Sequence, residues 1–173
     1  MQPNISDRYT DVALDLLRQS GQVGGATRLP VTGTSMLPLL QPGDAVWLQS
    51  IDLTALRPGD LLLIRQHGVL LTHRLIAVGP ERWQTKGDNN PLPDPPITAQ
   101  QIVGRIVTVE RGGTSLDLRR RPWRIASRLL AWSGRIEERC QTLQHPRFRR
   151  LAYVVDAPFR LVTRAIVGVA ARL

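Results

Sequence analysis

Pro42-Gly43-Asp44-Ala45-Val46-Trp47-Leu48 and Pro58-Gly59-Asp60-Leu61-Leu62-Leu63-Ile64-Arg65 open on the same three residues and run on into apolar, β-prone segments. Proline fixes φ and glycine accepts positive φ, so Pro-Gly suits the two central positions of a type II turn. Each run is therefore predicted to be a strand launched from a tight turn, and similar runs follow at Val69 to Val78, Glu81 to Thr85 and Ile102 to Glu110. The echo is a repeated turn device, not a repeat protein. Pro91, Pro93, Pro95 and Pro96 would interrupt any ladder, which makes Asn89 to Ile97 a loop.

Outward from this β-rich stretch the period changes. Residues 6 to 20 read as a helix, with Ser6 as N-cap, apolar positions at Tyr9, Leu16 and Leu17, and Gly21 as its stop. From Pro122 onward Ile125, Leu129, Trp132, Ile136, Cys140 and Leu143 form one helical stripe, bordered by Arg124, Arg128, Arg135 and Arg139. A further stripe runs from Phe148 through Leu151, Val155, Phe159, Val162 and Ile166 to Val169, with Asp156 and Pro158 suited to a helix start. The expected organisation is an N-terminal helix and linker (1–28), a β-rich domain (29–118) and a basic amphipathic helical extension (119–173), α+β overall and mainly β in its central domain.

The 173 residues carry 23 Lys and Arg against 14 Asp and Glu, a net charge of +9 that favours anionic surfaces. Lys86 is the one lysine. A single cysteine, Cys140, excludes an internal disulfide and offers no zinc spacing with His67, His73 or His145, so neither a metal nor another cofactor is expected. No stretch reaches the roughly 18 apolar residues of a spanning helix. Asp7, Arg8, Asp11, Asp15 and Arg18 break any apolar signal region near the start. A cytoplasmic protein, peripheral to the inner face of the membrane, is the expectation.

Three blocks carry chemistry: Val31-Thr32-Gly33-Thr34-Ser35-Met36-Leu37-Pro38-Leu39-Leu40, Leu71-Thr72-His73-Arg74, and Thr85-Lys86-Gly87-Asp88-Asn89-Asn90-Pro91-Leu92-Pro93-Asp94. A serine hydroxyl is a weak nucleophile near neutral pH and needs a base in reach, itself oriented by a third group. The blocks supply a serine, a histidine and two carboxylates. In this order and spacing they resemble the Ser-His type of the signal peptidase I superfamily, found in the endoplasmic reticulum and in archaea. The lysine of Ser-Lys peptidases is absent from the Val69 to Val78 run.

The resemblance implies a signal-peptidase-like β fold, shared with the LexA-type autoproteases, and a serine peptidase acting through an acyl-enzyme on a peptide or protein precursor beside small residues. It assigns Ser35 as nucleophile and His73 as base and then acid. Asp94 is favoured as the orienting acid, with Asp88 supporting the site, although both occupy positions where the family carries aspartates. The Ser35 N–H is one oxyanion donor. Relatives often place a hydroxyl residue two positions before the nucleophile, where this chain has Gly33, which leaves Thr32, Thr34 or a backbone N–H for the second. Met36 and Pro38 belong either to an apolar rim for substrate or to the start of the core. Members of the family are usually tethered by transmembrane segments, and this chain departs from that pattern. Two alternatives stand beside the peptidase: a noncatalytic binding module held by its Arg-rich helices on anionic lipid or nucleic acid, and a LexA-like autoprotease, which lacks here its DNA-binding unit and Ser-Lys dyad. Nucleic acid is the weaker partner, since few aromatics interleave the arginines.

Overall fold

The computed structural model describes residues 25–142, with side chains to 136. The predicted helix over 6–20 and the apolar stripe from Phe148 to Val169 lie outside these residues. Among the described residues the chain forms β1 (Thr27–Pro30), β2 (Ala45–Gln49), β3 (Leu61–Gln66), β4 (Val69–Val78), β5 (Trp83–Lys86), β6 (Ile102–Arg111), β7 (Thr114–Asp117) and the α-helix α1 (Arg121–Thr142), with short 3-10 turns at Leu53–Ala55 and Ala99–Gln101. The seven strands make one antiparallel sheet in the order β1-β2-β6-β3-β4-β5, with β7 paired to β6. The described part of the chain is thus mainly β. No described helix is long and apolar enough to cross a membrane.

Both predicted turns form, with the same internal bonding. Gly43 and Gly59 have φ of 95° and 103°. The N–H of Asp44 donates to the Gln41 carbonyl at 3.0 Å, and that of Asp60 to the Arg57 carbonyl at 3.1 Å. Each aspartate then turns its carboxylate back onto the N–H of the turn's first residue, at 2.8 Å in both. Proline presets the bend, glycine completes it, and aspartate locks it. A third tight turn, His67-Gly68 between β3 and β4, has positive φ at both residues, 51° and 76°, as a two-residue hairpin loop of the right twist requires.

Strand β3 explains why its sequence is a continuous apolar run and not an alternation. Side chains point to opposite faces in turn, and both faces are covered: Leu61 and Leu63 enter one core cluster with Met36, Val46, Ile106 and Trp123, while Leu62 and Ile64 enter a second with Leu56, Leu75, Trp83 and Ile97. The predicted loop over 89–97 carries no strand, only an isolated bridge between Ile97 and Trp83.

Helix α1 packs on the sheet through small residues. A Cβ on Gly134 would lie 3.2 Å from Ile76 Cγ2, and one on Gly59 would lie 2.9 Å from the Ser127 carbonyl carbon. Ala126, Ala131 and Ser133 are buried on the same side, with Trp123 reaching the core. The predicted apolar stripe takes the other side: Ile125, Leu129 and Trp132 are 60%, 46% and 58% exposed. Short side chains let the helix backbone approach the sheet closely on this side.

Gly59→Ala should be among the most destabilising single changes in the sheet region. It would force a side chain into a positive-φ position and against helix backbone, costing roughly 2 to 4 kcal/mol. A denaturant midpoint close to that of the unchanged protein would contradict this account of how α1 docks.

Candidate active site

The segment after β1 carries Ser35 in a compact turn, with the Leu37 N–H donating to the Thr34 carbonyl at 3.2 Å and the Leu40 N–H to the Met36 carbonyl at 3.0 Å. Met36, Leu39 and Leu40 are buried in the core, which anchors the turn from below. Of the two roles open to Met36, rim or core, its side chain takes the core, and its thioether accepts the Asp88 N–H at 3.4 Å. Pro38 follows a cis peptide bond and is half-buried, while Gly33 and Thr34 are exposed beside Ser35. A Cβ on Gly33 would meet nothing within 4 Å, so no close backbone approach explains that glycine.

The block from Thr85 to Asp94 is fastened to the Ser35 segment by backbone. The Asn89 N–H donates to the Ser35 carbonyl at 2.7 Å, and Asn89 Nδ2 to the Thr34 carbonyl at 3.3 Å. Gly87 shows why this junction needs glycine, since a Cβ there would sit 2.8 Å from the Ser35 carbonyl oxygen.

His73 lies in the middle of β4 and is 3% exposed. Its Nε2 is 3.0 Å from Ser35 Oγ and its Nδ1 is 2.7 Å from Asp94 Oδ2. In the tautomer that carries its proton on Nδ1, the ring donates to the Asp94 carboxylate and leaves Nε2 to accept from the Ser35 hydroxyl. Ser35, His73 and Asp94 are therefore joined in one line of hydrogen bonds.

Asp94 is held on three sides by β5. Its N–H donates to the Thr85 carbonyl at 2.9 Å, its carbonyl accepts from Gln84 Nε2, and its Oδ2 accepts from Thr85 Oγ1 at 2.7 Å. The neighbouring prolines keep the loop from forming a strand of its own, and β5 supplies the docking edge. The Thr85 hydroxyl and the imidazole share one carboxylate oxygen, which fixes the carboxylate plane against His73.

The second carboxylate has a different task. Asp88 receives Arg74 Nε on Oδ1 at 2.8 Å and an Arg74 terminal nitrogen on Oδ2 at 2.6 Å. Arg74 is 1% exposed, and its other terminal nitrogen donates to the Gly59 carbonyl at 3.2 Å. Adjacent residues of a strand point to opposite faces: His73 is turned to Ser35 and Asp94, and Arg74 ties the Asp88 turn to the turn on which α1 rests. Lys86 faces Arg74 in the β4–β5 register and is buried, its stem passing 3.6 Å from the site of a Cβ on Gly134.

Sequence reasoning brought together Ser35, His73, Asp88 and Asp94 but passed over Arg74, Gln84, Thr85 and Asn89. Arg74 stands beside His73 in the quoted block and could have been marked as the partner of whichever carboxylate His73 does not use. Thr85 gave no such signal, because its contact with Asp94 depends on where the proline-rich loop returns.

A bidentate pair this deeply placed is expensive to break on one side only. Arg74→Met should cost about 3 to 5 kcal/mol by leaving a mostly buried Asp88 without its cation, and Arg74→Met/Asp88→Leu should cost less. Chemical denaturation of the two variants checks the order.

Comparison of the chain with protein-family models and with characterised proteins finds no match.

Proposed function

We propose that the protein is a serine endopeptidase of signal-peptidase-like fold that cleaves a peptide or protein precursor. The observation that carries this reading is the continuous Ser35–His73–Asp94 line, at 3.0 and 2.7 Å, assembled from three separate parts of the chain. A structural serine or a satisfied core histidine has no need of both contacts at once.

In the proposed reaction His73 Nε2 takes the Ser35 proton as Oγ attacks the scissile carbonyl. The new C–O bond forms a tetrahedral oxyanion, and the imidazolium is stabilised by Asp94. Collapse breaks the C–N bond as His73 returns the proton to the departing amine, leaving an acyl-enzyme on Ser35. Water, giving its proton to His73, then attacks the acyl carbon, and the ester C–O bond to Ser35 breaks as His73 passes that proton to Oγ, releasing the acid and restoring the serine. The Ser35 N–H is the first oxyanion donor, and the exposed Gly33-Thr34 segment is where a second donor is to be sought. Such donors contribute roughly 3 to 4 kcal/mol each in serine peptidases where one has been removed. Thr85 and Arg74 act here as positioning residues, one on Asp94 and the other on the Asp88 turn.

Incubating the full chain and its Ser35→Ala variant with a proteome-derived peptide mixture, and reading new termini by mass spectrometry, tests the reading. Cleavage beside small residues by the unchanged protein, abolished in Ser35→Ala while its melting curve is retained, is the expected result. Equal cleavage by both would remove Ser35 from the chemistry.

A further inference from the structure

Away from the Ser35–His73–Asp94 line, a cavity of about 270 Å³ opens between the Gly59 turn, β6, the segment after β7 and α1. Its lining includes five arginines, Arg57, Arg105, Arg119, Arg124 and Arg128, against one carboxylate, Asp60. That carboxylate is already engaged by the Arg57 N–H at 2.8 Å and lies 3.9 Å from an Arg105 terminal nitrogen. Arg119 is spanned by Asp117, whereas Arg124 and Arg128 have no ionic partner among the described residues. The cavity is therefore strongly positive and open to solvent, and guanidinium groups match phosphoryl oxygens in geometry as well as charge.

The helix that supplies Arg124 and Arg128 also carries the exposed residues Ile125, Leu129 and Trp132. At about 100° per residue, these three and the half-buried Ile136 fall within a sector of roughly 60°, and Arg121, Arg124, Arg128 and Arg135 fill the adjoining one. An apolar sector with a bordering row of arginines and an interfacial tryptophan is the pattern of a helix lying in the headgroup layer of a membrane. A nucleic acid would use the arginines but gives the apolar sector no place.

We infer that α1 seats the protein on an anionic phospholipid surface, with Ile125, Leu129 and Trp132 in the acyl boundary and a lipid phosphoryl headgroup held in the arginine-lined cavity beside them. This inference does not depend on the peptidase reading. It places α1 along the surface of the bilayer.

The test is sedimentation of the full chain with vesicles of phosphatidylcholine alone or mixed with phosphatidylglycerol. Binding is expected only to the mixed vesicles, weakening as salt rises. Arg124→Gln/Arg128→Gln should weaken partitioning roughly 30-fold, at about 1 kcal/mol per arginine near the surface. Arg82→Glu changes net charge by the same amount on an exposed residue outside the cavity and should retain most of the binding. Ile125→Ser/Leu129→Ser/Trp132→Ser, which alters only exposed side chains, should also lose binding. Absence of binding to anionic vesicles at low salt overturns the inference, as does equal loss in the Arg82→Glu and Arg124→Gln/Arg128→Gln variants. Full binding by the triple serine variant overturns the apolar contact. Saturable binding of inorganic phosphate or of DNA without vesicle binding assigns the cavity elsewhere and overturns the lipid assignment.

Discussion

Replacing His73 with alanine is expected to lower the cleavage rate by roughly a million-fold, the scale seen when one member of an interdependent catalytic set is removed from a serine peptidase. The reason is the 3.0 Å contact between Nε2 and Ser35 Oγ, which gives the hydroxyl proton somewhere to go. Lys86→Met is the informative control. Lys86 is the chain's one lysine and the remaining candidate for a Ser-Lys arrangement, and methionine keeps a long stem beside Gly134 of α1 while removing the amine. A nearly silent Lys86→Met beside an inactive His73→Ala supports histidine as base. The reverse pattern, measured on folded variants with one verified substrate, would make Lys86 the base and leave His73 as a packed core residue.

Asp94→Asn should lower kcat by about 10⁴-fold with little change in fold, as the same exchange does in a Ser-His-Asp peptidase. An asparagine amide turned toward Nδ1 would donate where the carboxylate accepts. The ring would then carry its proton on Nε2, facing Ser35 with a donor in place of an acceptor. Asp88→Asn should behave in the opposite way. It weakens the charge-assisted pair with Arg74, so stability falls more than catalysis does. Steady-state kinetics and denaturation of the same two proteins separate the roles, and comparable losses of kcat in both would dissolve the distinction between them.

The strands that were easiest to read are those whose local signals agree. Val69–Val78 is strand from end to end, and the two Pro-Gly-Asp turns launch β2 and β3 within a residue of their expected starts. Strand β7, Thr114–Asp117, escaped notice because it is short and mostly polar, with Leu116 as its one apolar residue, and is stabilised by pairing with β6. The face of α1 was misleading for a related reason. Periodicity reports that Ile125, Leu129 and Trp132 share a side, but it cannot say whether a protein core or another surface will meet that side.

At the site, Ser35, His73, Asp88 and Asp94 were singled out because the three blocks that carry them resemble, in order and spacing, those of the Ser-His signal peptidases; residue type alone would not have marked His73 among the apolar residues of its run. The division between the aspartates was less legible. It follows from three dimensions: β5 draws Asp94 back through Gln84 and Thr85, while the other side of β4 delivers Arg74 to Asp88. No linear spacing encodes the return of a proline-rich loop to a strand edge.

The most direct test of the proposed nucleophile needs no substrate. A fluorophosphonate probe reacts with an activated serine by forming an O–P bond and expelling fluoride, and the adduct is located by intact-mass and peptide mass spectrometry. One adduct per chain on Ser35, absent from Ser35→Ala and strongly slowed in His73→Ala, is the expected result. A protein that stays unlabelled while a known serine hydrolase in the same tube is modified, or an adduct on another residue with Ser35 untouched, would contradict the assignment of Ser35 as an activated nucleophile.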